Sequence, residues 1–174
     1  MPKLKDFGLY FITDTKLTKK TLIDDVKSAI KGGVKVIQYR EKEASAEQMI
    51  EEAKKIKKLC RINNVIFLVN DRIDIALAAD ADGVHLGQDD SSYKTARKLL
   101  GKNKIIGLTV HNVKESIEAE KLGADYIGLG PIFPTRTKSD AGKACGTEMI
   151  TQVKKYIKIP IVAIGGINES NIDE

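Results

Sequence analysis

Residues 9–37 read LYFITDTKLTKKTLIDDVKSAIKGGVKVI and contain the first strand–helix–strand unit of the chain. The apolar run at the start of this stretch predicts a strand, and the apolar residues between 22 and 30 recur at the spacing of one helical face. Gly32 and Gly33 are typical of a helix end, and a second β-rich run begins directly after them. The stretch therefore predicts two strands joined by a helix.

The same alternation continues along the rest of the sequence. With the strands at residues 9–12 and 34–37, we predict strands at 65–69, 84–86, 105–108, 126–129 and 161–164, and further helices at 49–60, 73–79, 96–100, 113–122 and 149–156. Strands that are apolar on both faces and separated by helices predict a parallel sheet covered by helices.

Polar residues or glycines follow nearly every predicted strand, which favours a barrel over an open sheet. A (β/α)8 TIM barrel assembles its site from the loops after its strands, whereas an open sheet concentrates its site near one switch point. The fold class we predict is therefore α/β, a TIM barrel formed by a single domain over residues 1–174. The residues that follow the strands are Thr13, Gln38, Asn70, Gly87, Thr109, Gly130 and Gly165.

The length of the chain conflicts with a complete barrel. TIM barrels typically run to about 250 residues, whereas only seven strands are predicted here. Unpaired first and last strands would be an aggregation hazard. We therefore expect the protein to continue beyond Glu174 into an eighth strand that the sequence lacks.

Composition argues against several classes of partner. The 174 residues include 29 Lys and Arg and 24 Asp and Glu, which are interleaved along the chain, with five Tyr, four Phe and no Trp. Neither basic blocks nor a base-stacking surface is present, which argues against nucleic acid. No charge-free run reaches the roughly 18 residues of a membrane span, and no export signal is seen, so we expect a cytoplasmic protein without a membrane partner.

A basic motif, QYREK at residues 38–42, follows the second predicted strand. Alternation in an extended segment would point Gln38, Arg40 and Lys42 to one side. Two cations and an amide suit a diphosphate ligand with a hydrogen-bonding ring nearby. The alternative is a solvated charged loop whose cations pair with neighbouring glutamates.

Acidic residues follow the third and fourth predicted strands. Asp71 comes after the third strand and Asp90 after the fourth. Carboxylates from separate loops can hold Mg²⁺ while leaving its other positions to water and phosphate oxygens. The alternative role of both residues is helix capping.

The sixth predicted strand leads into a long loop, GPIFPTRTK at residues 130–138. Hydroxyls and cations after a rigid, proline-containing turn suit an anion site, and Gly165 and Gly166 offer backbone amides after the seventh strand. TIM barrels often bind phosphate near their last two strands. An ordinary tight turn is the alternative interpretation of the two glycines.

The histidines and cysteines are weaker signals. His85 lies within a predicted strand, where an interior role is expected, while His111 follows the fifth strand and stays a candidate acid or base. Cys60 and Cys145 have no metal-ligand spacing, so free thiols are expected. No serine or cysteine arrangement favours covalent catalysis.

Five motifs, in this order, resemble the thiamine phosphate synthase (thiamine-phosphate pyrophosphorylase) family. The resemblance covers nearly the whole chain, and the order of the motifs is more specific than any single one. The motifs are QYREK at 38–42, NDR at 70–72, GVHLGQDD at 83–90, PTRTK at 134–138 and AIGGI at 163–167.

The resemblance implies an enzyme that couples hydroxymethylpyrimidine diphosphate to thiazole phosphate and releases pyrophosphate, with Mg²⁺ on the diphosphate. It implies that Asp71 and Asp90 are the metal ligands, and that the catalytic residues are Arg40, Lys42, Thr109 and Lys138. The implied substrate-binding set is Gln38, Tyr39, Arg40, Glu41, Lys42, Asn70, Thr109, Thr135, Arg136, Thr137, Lys138 and Gly166. Within it, the resemblance implies that the pyrimidine diphosphate is contacted by Gln38, Arg40, Lys42, Asn70, Thr109 and Lys138, and that the thiazole phosphate is held by Thr135, Thr137 and Gly166.

Two other functions remain open at this stage. A related thiazole tautomerase would use His111 as acid or base, and a non-catalytic barrel would only bind a phosphate ligand. Thr109 stands where the family more often has serine, which keeps the hydroxyl but adds a methyl group. The synthase is favoured because a tautomerase has no evident use for the diphosphate and metal set. Self-association of the chain is also left open.

Overall fold

The computed structural model describes residues 8–135, 137 and 142–174. Seven parallel strands alternate with six helices in these ranges, which confirms the predicted α/β class of the TIM-barrel type. The chain divides into two compact units. The first comprises residues up to 86 together with 90–106, and the second comprises residues 87–89 together with those from 107 onward. The single domain stays a prediction.

The first unit contains four parallel strands that pair in chain order. β1 (Tyr10–Ile12) pairs with β2 (Val36–Tyr39), β2 with β3 (Ile66–Asn70), and β3 with β4 (Gly83–Leu86). Because these strands run in the same direction, their carboxyl ends lie at one edge of this sheet. The helices that follow them are α1 (Leu22–Lys31), α2 (Ala46–Ile62), α3 (Ile73–Ala78) and α4 (Tyr93–Leu100).

Side-chain caps determine where the helices of this unit begin. The Thr21 hydroxyl accepts the N–H of Asp24 at the start of α1, and the Ser92 hydroxyl accepts the N–H of Thr95 at the start of α4. Such caps satisfy backbone donors that have no partner inside the helix. The α4 helix therefore begins at Tyr93, ahead of the predicted start at residue 96.

Three strands extend further toward their carboxyl ends than the apolar runs predict. Gln38 and Tyr39 belong to β2, and Asn70 is the last residue of β3. Gln38 is in register with Leu68, so the backbone of β2 continues to pair with β3 after its apolar residues end. The first polar residues thus lie within the strands rather than after them, as does Thr109 of the fifth strand.

The second unit contains three further strands in the same parallel order. β5 (Ile105–Val110), whose first two residues belong to the first unit, pairs with β6 (Tyr126–Leu129), and β6 pairs with β7 (Ile161–Ala163). The helices are α5 (Val113–Leu122) and α6 (Glu148–Val153). The core of this unit is the apolar cluster Val110, Ala119, Ala124, Ile127, Leu129, Ile132, Val153 and Ile157.

Strand burial agrees with a sheet covered by helices. In the first unit Ile37, Phe67 and Leu68 are fully buried although neighbouring positions of a strand face opposite sides. Both faces of β2 and β3 are therefore covered. Among the described helices, none combines the length and the apolar character needed to cross a membrane.

Candidate active site

The last two residues of β2 direct their side chains to opposite sides of the sheet. The buried Gln38 amide donates to the Tyr10 hydroxyl of β1 at 2.7 Å. The Tyr39 hydroxyl donates to Glu52 Oε2 of α2 at 2.7 Å, and burial together with this hydrogen bond raises the pKa of Tyr39. The structure therefore places the Tyr39 side chain against helix α2, away from Gln38.

Arg40 is anchored to the segment that follows β1. The buried Thr13 hydroxyl accepts the Arg40 N–H at 2.9 Å and donates to the Arg40 carbonyl oxygen at 3.3 Å. The Asp14 carboxylate pairs with the Arg40 guanidinium at 3.2 Å, and both side chains are mostly buried. A paired guanidinium keeps its planar fork oriented. Arg40 thus has a defined position at the carboxyl end of β2.

The Glu41 carboxylate is occupied by its own loop. Its Oε1 atom accepts the backbone N–H groups of Lys42 and Glu43 at 2.7 Å and of Ala44 at 3.3 Å. Its Oε2 atom accepts the Thr15 hydroxyl at 2.7 Å. Burial alone would raise the pKa of Glu41, but these hydrogen bonds outweigh it and hold the pKa below its usual value.

An ion pair connects the loop after β2 to the end of β3. The Lys42 ammonium donates to Asp71 Oδ2. Asp71 has a left-handed backbone with φ of 59°, and its N–H donates to the His85 carbonyl oxygen of β4 at 2.8 Å. The Lys42 side chain is 51% exposed and that of Asp71 is 18% exposed. The cation therefore remains accessible to an anion.

Asn70 and Asp90 come at the same edge of the first unit. Asn70 ends β3 in register with His85, and Asp90 follows β4 by four residues. In the described ranges, no group of three or more His, Cys, Asp or Glu residues is suited to hold a metal. Asp71 and Asp90 nevertheless carry carboxylate oxygens, the donor type that Mg²⁺ prefers, so the chemistry of these two residues fits the ion.

In the second unit, Gln88 is held against the carboxyl end of β5. Its side-chain amide donates to the Thr109 carbonyl oxygen at 2.5 Å. Thr109 is half-buried and in register with Gly128 of β6. The contact joins the GQDD segment to the strand that carries the predicted catalytic threonine.

Close backbone packing joins the loop after β6 to the segment after β7. The Phe133 N–H donates to the Gly165 carbonyl oxygen at 2.9 Å. Gly166 has φ of +67°, and a Cβ atom there would lie 2.5 Å from the Pro134 carbonyl oxygen. Only glycine fits such an approach. Gly166 is thereby brought to the loop that carries the predicted phosphate-binding threonines.

These threonines flank a part of the chain that is not described. The Thr135 hydroxyl accepts the Thr137 N–H at 3.3 Å. Arg136 and Lys138, both in the predicted substrate-binding set, lie outside the described residues.

His111 takes part in the start of α5. Its backbone N–H and its ring Nδ1 contact Glu115 Oε2 at 2.8 and 3.0 Å. Asn112 caps the same helix by accepting the Glu115 N–H at 3.0 Å and donating to Glu115 Oε1 at 2.6 Å. Helix capping of this reciprocal kind accounts for the contacts of His111.

Several residues outside the predicted set hold its members in place. Thr13 is among the polar residues that the sequence places directly after a strand, and Asp14 comes next to it, so the position of both at this edge has a local signal. The other contacts have no signal in the sequence, and two of them join residues 21 and 28 positions apart. They are Tyr10 with Gln38, Gln88 with Thr109, and the side-chain amides of Asn168 and Asn171, which each donate to the Gly166 carbonyl oxygen at 3.0 Å.

Comparison with known sequences gives one consistent family. The family model described as thiamine monophosphate synthase matches residues 9–174. The thiamine-phosphate synthase of Methanosarcina mazei is 60% identical over 168 residues, which cover 97% of this chain and 70% of that protein. The thiamine-phosphate synthase of Methanosarcina barkeri is 56% identical over 170 residues, with coverages of 98% and 77%.

Solved structures agree with the sequence comparison. Thiamine phosphate pyrophosphorylase from Pyrococcus furiosus matches with a TM-score of 0.87 and 43% identity, over 95% of this chain and 78% of that one. An N-acetylmannosamine-6-phosphate 2-epimerase from Clostridium perfringens matches with a TM-score of 0.65 and 15% identity, over 91% of this chain and 77% of that one. At this low identity, the match shows a common fold alone. Because the family model spans nearly all of the sequence, the chain belongs to the thiamine monophosphate synthase family.

Proposed function

We propose that the protein catalyses the thiamine-phosphate synthase reaction, in which hydroxymethylpyrimidine diphosphate and thiazole phosphate yield thiamine phosphate and pyrophosphate. Its relatives at 60% and 56% identity are named for this activity. The structural observation that carries the proposal is the contact between Lys42 and Asp71. The contact brings the loop after β2, which carries Arg40 and Lys42, next to the carboxylate that follows β3. A diphosphate needs cations of this kind, and its counter-ion Mg²⁺ needs a carboxylate.

The pyrimidine diphosphate is assigned to the carboxyl edge of the first unit. Arg40 presents a planar fork that matches phosphate oxygens, and Lys42 adds a compact, half-exposed charge. The Gln38 amide nitrogen is held by Tyr10, so we assign its carbonyl oxygen as the acceptor for the pyrimidine ring. Asn70 keeps its assignment to the same substrate, while the roles of Thr109 and Lys138 stay predictions from the sequence.

Magnesium dependence is part of the proposal. Asp71 and Asp90 would hold Mg²⁺. This assignment is supported by the presence of two carboxylates, which Mg²⁺ prefers as ligands, after two neighbouring strands. When bound, the ion supplies charge neutralisation for the diphosphate leaving group.

The reaction needs charge stabilisation more than proton transfer. The bond between the pyrimidine methylene carbon and the diphosphate oxygen breaks with both electrons on oxygen, and the thiazole nitrogen lone pair forms the new carbon–nitrogen bond. Arg40 and Lys42 stabilise the negative charge that develops on the diphosphate. One preorganised donor of this kind is worth about 3–4 kcal/mol of activation free energy. No general base is obligatory because the nitrogen already carries a lone pair.

The thiazole phosphate is assigned to the second unit. Thr135 and Thr137 would contribute hydroxyl and backbone N–H donors, and Gly166 would contribute a backbone N–H that a side chain does not obstruct. The support is the close packing of Gly166 on the loop that contains Thr135.

The test is a coupling assay with both substrates, in which thiamine phosphate and pyrophosphate are quantified. We expect equimolar products, loss of both with a chelator, and recovery on addition of Mg²⁺. Isomerisation of the thiazole phosphate alone would favour the tautomerase, and binding of either ligand without product would favour a non-catalytic barrel. A cytoplasmic location and self-association stay predictions from the sequence.

A further inference from the structure

Two polar segments are paired side by side at the carboxyl edge of the first unit. Residues 13–16 follow β1, and residues 40–44, which we call the basic loop, follow β2. Four consecutive side chains of the first segment contact the basic loop. The pairs are Thr13 with Arg40, Asp14 with Arg40, Thr15 with Glu41, and Lys16 with Glu43.

Glu41 joins the two segments and also holds the backbone of its own loop. Its Oε1 atom accepts three successive backbone N–H groups, from Lys42, Glu43 and Ala44, while its Oε2 atom accepts the Thr15 hydroxyl. Successive N–H groups that converge on one point form a cradle for an anion. Here the protein's own carboxylate fills that cradle, and the contact fixes the backbone on both sides of Lys42.

The same contacts argue against a role of Glu41 as a substrate ligand. Both oxygens are engaged within the protein, and a carboxylate turned toward a diphosphate would repel it. The hydrogen bonds also hold the pKa of Glu41 below its usual value despite burial, so the group stays charged in its cradle at neutral pH.

We propose that Glu41 is a positioning residue, which folds the basic loop so that Arg40 and Lys42 are preorganised for the diphosphate. This inference rests on the proposed function and replaces the assignment of Glu41 to the substrate-binding set. Without Glu41, the loop would have to become ordered when the ligand binds, and that entropy loss weakens affinity. The effect should therefore concern the diphosphate and spare the thiazole phosphate.

Glu43 provides a matched control in the same loop. It is also a glutamate paired with the segment after β1, through Lys16 at 2.6 Å. However, its side chain is 70% exposed and that of Lys16 is 72% exposed. Exposed ion pairs of this kind contribute little, and Glu43 holds no backbone N–H.

The experiment compares Glu41→Ala with Glu43→Ala. We expect Glu41→Ala to raise the KM for the pyrimidine diphosphate by about tenfold, which corresponds to the loss of one hydrogen bond to a charged group. The Kd of inorganic pyrophosphate, measured by calorimetry in the presence of Mg²⁺, should rise by the same factor of about ten. The KM for thiazole phosphate should change less than about twofold, and Glu43→Ala should resemble the unmodified protein in all three constants. Unfolding temperature is recorded for each variant.

Two milder variants keep the test decisive if Glu41→Ala folds poorly. Glu41→Gln retains an oxygen that can accept the three N–H groups, so it should keep most of the affinity for the pyrimidine diphosphate. Thr15→Val should weaken this affinity as Glu41→Ala does, but to a smaller extent. Unchanged constants in Glu41→Ala, or equal weakening of both substrates, would overturn the inference. If the unmodified protein forms no thiamine phosphate, the proposed function fails, while the Kd of pyrophosphate still decides the role of Glu41.

Discussion

Ion pairs lie at both ends of β3 and β4 in the first unit, but the two ends expose their lysines to different degrees. At the amino ends, Asp82 pairs with Lys57 at 2.5 Å and accepts the Phe67 N–H at 2.8 Å, and Lys57 is 19% exposed. At the carboxyl ends, Asp71 pairs with Lys42, which is 51% exposed. The same pair of residue types thus secures the sheet at one end and leaves a cation available to a ligand at the other.

Asp71 and Asp80 make the contrast more precise. Both have a left-handed backbone, with φ of 59° and 48°, and both pair with a lysine, Lys42 or Lys104. Asp80 lies between α3 and β4, at the amino end of β4, and its side chain is 86% exposed. Backbone conformation and pairing with a lysine are therefore alike, whereas the end of the sheet and the exposure of the carboxylate differ, since Asp71 is only 18% exposed.

The largest expected effect separates these two aspartates. Asp71→Asn should lower the rate of thiamine phosphate formation by about 100-fold or more, because an uncharged amide is a weaker ligand for the Mg²⁺ that would neutralise the leaving diphosphate. Asp80→Asn makes the same chemical change on the same backbone, which asparagine tolerates, and should leave the rate within about twofold. Steady-state kinetics with both substrates measure the two rates. Equal losses in both variants would remove the functional distinction between the two ends.

The second prediction concerns the framework at the amino ends. Asp82→Ala removes the partner of Lys57 and leaves the buried Phe67 N–H without its acceptor. We expect the free energy of unfolding to fall by about 2 kcal/mol or more, with kcat unchanged. Denaturant unfolding measures the first quantity, and Asp80→Asn serves again as the control. A loss of kcat without a loss of stability would contradict this assignment.

The smallest expected effect is a titration shift at the carboxyl edge. Because hydrogen bonds lower the pKa of folded Glu41, its stabilising contribution is fully present above the ordinary glutamate value of about 4.3 and is lost as the pH falls through the folded pKa. Carboxyl-carbon NMR should find a midpoint below that value, and Thr15→Val should move it upward. A midpoint at or above the ordinary value would show that the cradle does not favour the charged form.

The sequence predicts where a residue lies in the fold when the signal is local. Asp71 directly follows an apolar strand, so parallel strand direction alone predicts its edge, and alternation along β2 predicts that Gln38 and Tyr39 face opposite ways. The same alternation places Tyr39 on the face opposite Gln38, which argues against its place in the predicted substrate-binding set. The predicted set also includes Glu41, because nothing in the neighbouring sequence shows that three backbone N–H groups turn toward its carboxylate.

Amino-acid order was enough to establish the repeated strand and helix units, their parallel direction and the edge at which the charged motifs emerge. Hydrophobic periodicity and chain direction are properties of short segments, and they survive without knowledge of distant contacts. Which side chains meet was decided by folding, since the pairs Gln38 with Tyr10, Arg40 with Asp14 and Lys42 with Asp71 join residues 26 to 29 positions apart. Whether a charged group serves the ligand or the loop depends on those long-range contacts, because they determine which of its atoms remain accessible.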